Sequence, residues 1–322
     1  MTNDSVHPND APATALPPGD NLITALQAQA RANPHAVAIE IQGRSRHDVR
    51  QFTRQQLVRL YQRFAQQLLR VSAPGERALI AGTTEIEFLI AYLGCLAAGI
   101  TAVPIAPLRR ARHLHTLERV ARDVQPAVLI TTSGLPDAAW LAQLQRQHPG
   151  LVHLDLDGQH ADPAPITDSL PQPDNPLAFL QYSSGSTAAP KGVLVSHRNL
   201  LQNLTRIISR YELTASDRCV SWLPAFHDMG LTGGLLVPLL LGAPCRIMTP
   251  ASFLSNPLRW LQAVADSRAT LTAAPNFAFD LCVDRIGPDA TAGLDLSALR
   301  CAWIGAEPVR QATIDRFARV FA

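Results

Sequence analysis

The chain has 322 residues, 47% of them hydrophobic, with 28 basic against 26 acidic side chains and a formal charge of +2. Such a length and apolar content are ample for a sizeable core and exclude a disordered chain. The near-neutral balance, without a long basic block, gives no reason to expect nucleic acid as a partner.

The first twenty residues lack the apolar core of a secretory signal and are expected to form a flexible tail. The longest apolar run, Leu235 to Ala243, falls short of the ~20 residues that a membrane helix needs, so no integral membrane span is expected. Cys95, Cys219, Cys245, Cys282 and Cys301 are scattered, mostly within apolar runs, and lack metal-ligand spacing. They point to free thiols in a reducing compartment, and so to a cytoplasmic protein.

Thr53 and Gln56 have the spacing of a capping box, with Phe52 and Leu57 placed to staple around it. Leu57, Leu60, Tyr61, Phe64 and Leu68 then recur at helical spacing and predict one buried stripe. From Arg77 a strand–helix rhythm begins. Strands are expected at Ala78–Ile80, Ile100–Ile105, Ala127–Thr131 and Leu151–Leu156. Helices are expected at Glu85–Ala98, Arg109–Asp123 and Pro136–Gln147. This alternation predicts an α/β fold of layered, mostly parallel sheets flanked by helices. Arg109, Arg110, Arg112, His113 and His115 form a basic cluster, read either as a solvated helix face or as a surface for an acidic carrier protein. Residues 158–175, with four prolines and three aspartates, read as an exposed loop.

The stretch Leu180-Gln-Tyr-Ser-Ser-Gly-Ser-Thr-Ala-Ala-Pro-Lys-Gly-Val193 is the centre of the chain. Pro176–Leu180 leads in and Val193–Val195 leads out, both as strands. Between them, hydroxyls and free backbone N–H groups around Gly185 make a concave donor surface suited to phosphate oxygens, and Lys191 adds a positive charge. The competing reading is a solvated Ser/Thr turn. The loop is not a Walker A motif, because Lys191 follows Pro190 and precedes Gly192 and a strand.

Ser196 is placed as N-cap of a helix at His197–Tyr211. A strand at Arg218–Leu223 leads to Phe226-His227-Asp228, then to an apolar helix through Leu241 in which Gly233 and Gly234 permit close packing or a ligand against the backbone. Further elements are expected at Leu258–Ser267 (helix), Thr270–Thr272 (strand), Asn276–Arg285 (helix), Cys301–Ile304 (strand) and Gln311–Ala322 (helix). Glu307 and Pro308 have the composition that opens a helix.

Ser183-Ser-Gly-Ser-Thr-Ala-Ala-Pro-Lys-Gly192 resembles the phosphate-binding signature of the adenylate-forming acyl-activating (AMP-binding) enzymes. That signature usually has Thr at position 183 and Gly at position 188, so Ala188 departs from it. Ser221-Trp-Leu-Pro-Ala-Phe-His-Asp-Met-Gly-Leu231, Asn276-Phe-Ala-Phe-Asp-Leu-Cys282 and Gly305-Ala-Glu-Pro-Val309 follow in the family's order. Their wording is closest to the fatty acyl-AMP ligases.

The resemblance implies activation of a fatty acid by ATP with Mg²⁺, giving acyl-adenylate and pyrophosphate. The acyl group would then pass to the phosphopantetheine thiol of an acyl carrier protein, or to CoA. It assigns the phosphates to Ser183, Ser184, Gly185, Ser186, Thr187, Lys191 and Gly192, and the metal to Thr187. It places adenine against Gly305, Ala306, Glu307 and Pro308. His227 and Lys191 are the implied catalytic residues. Trp222, Phe226, Met229, Phe277 and Phe279 are implied to line the acyl pocket; composition alone reads them as core.

In domain terms, residues 21–322 are expected to be an incomplete AMP-binding domain with the C-terminal domain absent. Its first α/β part is expected to run to about 175 and its second to start at about 176. The competing readings are an acyl-CoA synthetase or another carboxylate-activating ligase and, from a different class, a non-catalytic nucleotide- or acyl-binding module.

Overall fold

The computed structural model describes residues 21–82, 86–108, 111–132, 138–156, 175–182, 191–291 and 293–321. In chain order the elements are α1 (Leu22–Ala32), β1 (Val37–Gln42), β2 (Val49–Thr53), α2 (Arg54–Leu68), β3 (Arg77–Ala81), α3 (Ile86–Ala98) and β4 (Thr101–Ile105). Then come α4 (Ala111–Val124), β5 (Val128–Thr131), α5 (Ala138–Gln147), β6 (Val152–Asp155), β7 (Leu177–Tyr182), β8 (Gly192–Ser196), α6 (His197–Arg210) and β9 (Cys219–Ser221). A π-helix (Met229–Leu236) runs directly into α7 (Val237–Leu241) and is followed by β10 (Cys245–Ile247), α8 (Pro250–Ser255), α9 (Leu258–Asp266) and β11 (Leu271–Ala274). The rest is α10 (Asn276–Arg285), α11 (Pro288–Thr291), β12 (Cys301–Ile304) and α12 (Gln311–Phe321).

Two six-stranded sheets result, in the orders β6-β5-β3-β4-β7-β8 and β12-β11-β9-β10-β1-β2. All neighbours pair in parallel except β7 with β8 and β1 with β2. The expected α/β class is therefore observed. The sheets, however, do not divide the chain at 175/176. β7 joins the first sheet through β4, and β1 joins the second through β10, in the register Ile39 with Cys245. Apolar content cannot reveal this exchange, because strand order is set by long-range packing.

The faces of β3 show why its sequence is almost wholly apolar. Ala78 and Ile80 pack with α3 in a large core that also takes in Ile39, Ile41 and Ile247 of the other sheet. Leu79 and Ala81 point the other way, onto Leu117 and Val120 of α4 and Trp140 of α5. Buried on both faces, the strand has no polar side to alternate with. Every residue of α3 is buried, as suits a helix that is apolar all round.

Both predicted caps form as capping boxes, Thr53 with Gln56 on α2 and Ser196 with Asn199 on α6. All five cysteines are free thiols, four of them buried. No described helix is long and apolar enough to cross a membrane.

Candidate functional site

The candidate residues come from the ends of β7, β9 and β12, from the start of β8, and from the segments that follow β9 and β12. At the end of β7, the Gln181 side-chain amide donates to the Phe226 carbonyl at 2.9 Å. This bond ties the strand before the Ser/Thr-rich loop to the segment carrying His227. The next residue, Tyr182, donates its hydroxyl to Asp123, and its ring lies against Gly192. A Cβ at position 192 would come within 3.0 Å of that ring. A side chain at 192 would press on the Tyr182 ring, so glycine suits the place where β8 returns beside it. Burial and the Asp123 carboxylate both push the Tyr182 phenol up.

Lys191 stands exposed at the head of β8. Ser183, Ser184, Gly185, Ser186, Thr187 and Ala188 lie outside the described residues, as do the tail and the side chains of Arg109, Arg110, Arg112 and His113.

His227 sits in a tight turn. Its N–H donates to the Pro224 carbonyl at 3.1 Å, and its own carbonyl accepts from Leu231 N–H at 2.8 Å. The Phe226 ring leans on the imidazole with centroids 4.7 Å apart. His227 is an exposed residue; partial desolvation of its ring still lowers its pKa, opposed by the adjacent Asp228 charge. The imidazole is therefore predominantly neutral at neutral pH and can accept or donate one hydrogen bond. Asp228 accepts from Met229 N–H at 2.7 Å and opens the π-helix.

The π-helix explains two of the glycines that follow. A Cβ on Gly230 would lie 2.1 Å from the Pro224 carbonyl oxygen, and one on Gly234 would lie 2.4 Å from Ser221 Oγ. Gly230 lets the helix lie directly on the Pro224 backbone, and Gly234 lets it lie on the Ser221 side chain at the end of β9. π segments joined to α-helices are frequent at functional sites.

A groove of roughly 390 Å³ opens beside this helix, lined by Asp228, Met229, Trp303, Gly305, Ala306 and Tyr211, among others. That volume lies within the range of small-molecule sites. Ala306 has φ +66, in the left-handed region, where an L-residue is held at a cost of roughly 1–2 kcal/mol. Glu307 and Pro308 are exposed, and they do not open the following helix: α12 begins at Gln311. The reason lies in Asn276, which holds this segment outside the helix. Its amide donates to the Pro308 carbonyl at 3.0 Å and accepts from Arg310 N–H at 2.9 Å.

The aromatic candidates divide. Met229 lines the groove, and Phe226 packs beside His227. Trp222 and Phe279 are buried in a cluster where Trp222 stacks on Phe253 at 3.9 Å and both meet Trp260. Phe277 is 44% exposed, edge-on to Trp222 at 6.1 Å. Two residues that shape the site, Gln181 and Asn276, have no assigned role in the sequence motifs. Gln181 is a polar residue near the end of an otherwise apolar strand, and Asn276 opens the Asn276–Cys282 motif without a role of its own.

A family model described as AMP-binding enzyme matches residues 26–322. Long-chain-fatty-acid–AMP ligase FadD26 of Mycobacterium marinum is 38% identical over 264 residues, covering 80% of this chain and 45% of that protein. The medium-chain-fatty-acid–[acyl-carrier-protein] ligase JamA of Moorena producens is 38% identical over 256 residues, covering 76% and 42%. Among solved structures, a fatty acyl-adenylate ligase from L. pneumophila in complex with acyl adenylate and pyrophosphate superimposes with a TM-score of 0.80. It shares 33% identity, over 94% of this chain and 52% of that one. The chain thus spans about half the length of the proteins it matches.

Proposed function

The chain belongs to the AMP-binding enzyme family, and from that premise we propose that it carries the nucleotide and acyl sites of a fatty acyl-AMP ligase. A fatty carboxylate oxygen attacks the α-phosphorus of ATP, a P–O bond forms, and pyrophosphate leaves. The observation that supports this best is the convergence on one groove of Met229, Asp228, Gly305 and Ala306, with neutral His227 beside it.

In this reading the adenine lies against Gly305–Pro308, and Lys191 with Ser183–Thr187 and Gly192 faces the phosphates. His227 orients the carboxylate toward the α-phosphorus by hydrogen bonding, acting as neither nucleophile nor base. The acyl chain leaves past Phe226 and Met229. Trp222, Phe277 and Phe279 stand behind them as wall.

Bound Mg²⁺ would neutralise triphosphate charge. Thr187, the hydroxyl expected to hold it, lies outside the described residues. The acyl acceptor is proposed to be a carrier-protein thiol, as in the name of the JamA relative. A relative described as a putative fatty-acid–CoA ligase, fadD21 of Mycobacterium leprae, at 36% identity, keeps CoA as the alternative.

Calorimetric titration with AMP and with a non-hydrolysable acyl-sulfamoyl adenosine tests the reading. Binding of both, tighter for the acyl-bearing compound, is expected. A chain that binds neither would overturn it.

A further inference from the structure

We infer that Asn276 is a positioning residue for the nucleotide, holding the rim of the groove in the shape that receives the base. The inference rests on the proposed nucleotide site and adds to it a residue that touches neither base nor phosphate.

Asn276 is fully buried at the start of α10, yet both ends of its amide act on a segment more than thirty positions away. The two bonds straddle Val309, one to the carbonyl before it and one to the N–H after it. This fixes the path of residues 308–310 and denies those groups to the first turn of α12. One turn along the same face of α10, Asp280 accepts from Thr313 Oγ1 and from Arg316 Nη1, each at 3.0 Å. α10 therefore grips the chain on the far side of the same bend.

Ala306 lies between this anchored segment and β12, in the left-handed conformation. Backbone of this kind persists only where the surroundings over-determine it. β12 fixes one side of it, and Asn276 fixes the other. The bend exposes Ala306 and Glu307, whose backbone makes no hydrogen bond to any described residue. An edge of free backbone donors and acceptors beside Met229 and Trp303 has the chemistry to pair with a heteroaromatic base and lay its ring on an apolar floor.

An asparagine serving stability alone would change melting behaviour without changing ligand affinity. That difference makes the inference testable with Asn276→Ala and the near-isosteric Asn276→Asp. The aspartate keeps an acceptor for Arg310 N–H but loses the donor to Pro308. Hydrogen exchange at amides 305–310 and calorimetric binding of AMP would be measured for each variant against the wild-type chain.

We expect faster exchange confined to 305–310 and AMP affinity about tenfold weaker for alanine, with a smaller loss for aspartate. If the alanine variant does not fold, the aspartate variant decides by the same two readouts. Wild-type AMP affinity or unchanged exchange in a folded variant sinks this inference alone. A wild-type chain that does not bind AMP sinks the nucleotide reading first and this inference with it.

Discussion

His227 and His197 share the direction of their protonation shift, although His197 lies at the other end of β7 from Gln181, where its N–H donates to the Pro176 carbonyl. Burial lowers both imidazoles below their ordinary value, and at His227 the Asp228 charge opposes it. A histidine whose folded pKa is depressed takes up more protons unfolded than folded, so stability rises with pH across its titration. The contribution is complete above the ordinary imidazole range, near pH 6.5, and is lost as pH falls through the depressed folded value. Urea midpoints measured from pH 5 to 8 should therefore rise with pH, and His197→Asn should flatten part of the rise. A profile unchanged by that substitution would show that the ring is solvated in solution. For His227 the expected outcome is functional. His227→Ala should weaken binding of acyl-sulfamoyl adenosine several-fold while shifting the melting temperature little. A variant that melts early yet binds normally would make the residue structural. The chemical identity of His227, Lys191 and Gly305 was legible in the motifs. The left-handed Ala306 and the buried grip of Asn276 were not, because one is a backbone angle and the other a contact between distant residues.

Among the elements, the segment after His227 shows how local signals and tertiary demands diverge. Its apolar run was readable as helix, but the π form was not. That form arises where Gly230 and Gly234 seat the turn on the Pro224 carbonyl and on Ser221. Gly230→Ala would drive a methyl group into backbone that cannot rotate away, so a loss of roughly 3 kcal/mol, the upper part of the overpacking range, is expected. Gly287 serves as the control: a Cβ added there would meet no atom within 4 Å, and its φ is not positive. Gly287→Ala should stay within about 0.5 kcal/mol of wild type. Equal urea midpoints for the two variants would remove the steric account. Capping was legible in advance because it is local. Ser196 bonds Asn199 three residues on, and Ser196→Ala should cost about 1 kcal/mol. α1 opens on the same kind of local signal, Asn21 with Thr24, which the motifs above did not include; β1 and β2 carried no comparable signal. β1 takes its place by pairing with β10, far along the chain, which short-range periodicity cannot register.

At the scale of the whole molecule, the described strands end in four sheet edges, β6, β8, β12 and β2, of which β8 carries adjacent exposed apolar residues. β8 pairs only with β7, and its consecutive residues Val193 and Leu194 are 56% and 62% exposed. Successive side chains point to opposite faces of a strand, so this edge is apolar on both. An exposed apolar edge is a template for pairing with another chain, and natural sheets often blunt such edges with lysine. Leu194→Lys should therefore reduce self-association, read by light scattering over a concentration series. Two effects oppose each other in its stability. The lysine loses some strand preference and the little burial that Leu194 has, while its stem still covers the neighbouring surface. Because the site is mostly in water, the net change is expected to remain within about 0.5 kcal/mol. Scattering that is the same for both proteins, with intact folding, would show that the edge is already protected in solution. A large fall in stability would instead show that Leu194 packs more deeply than its exposure indicates.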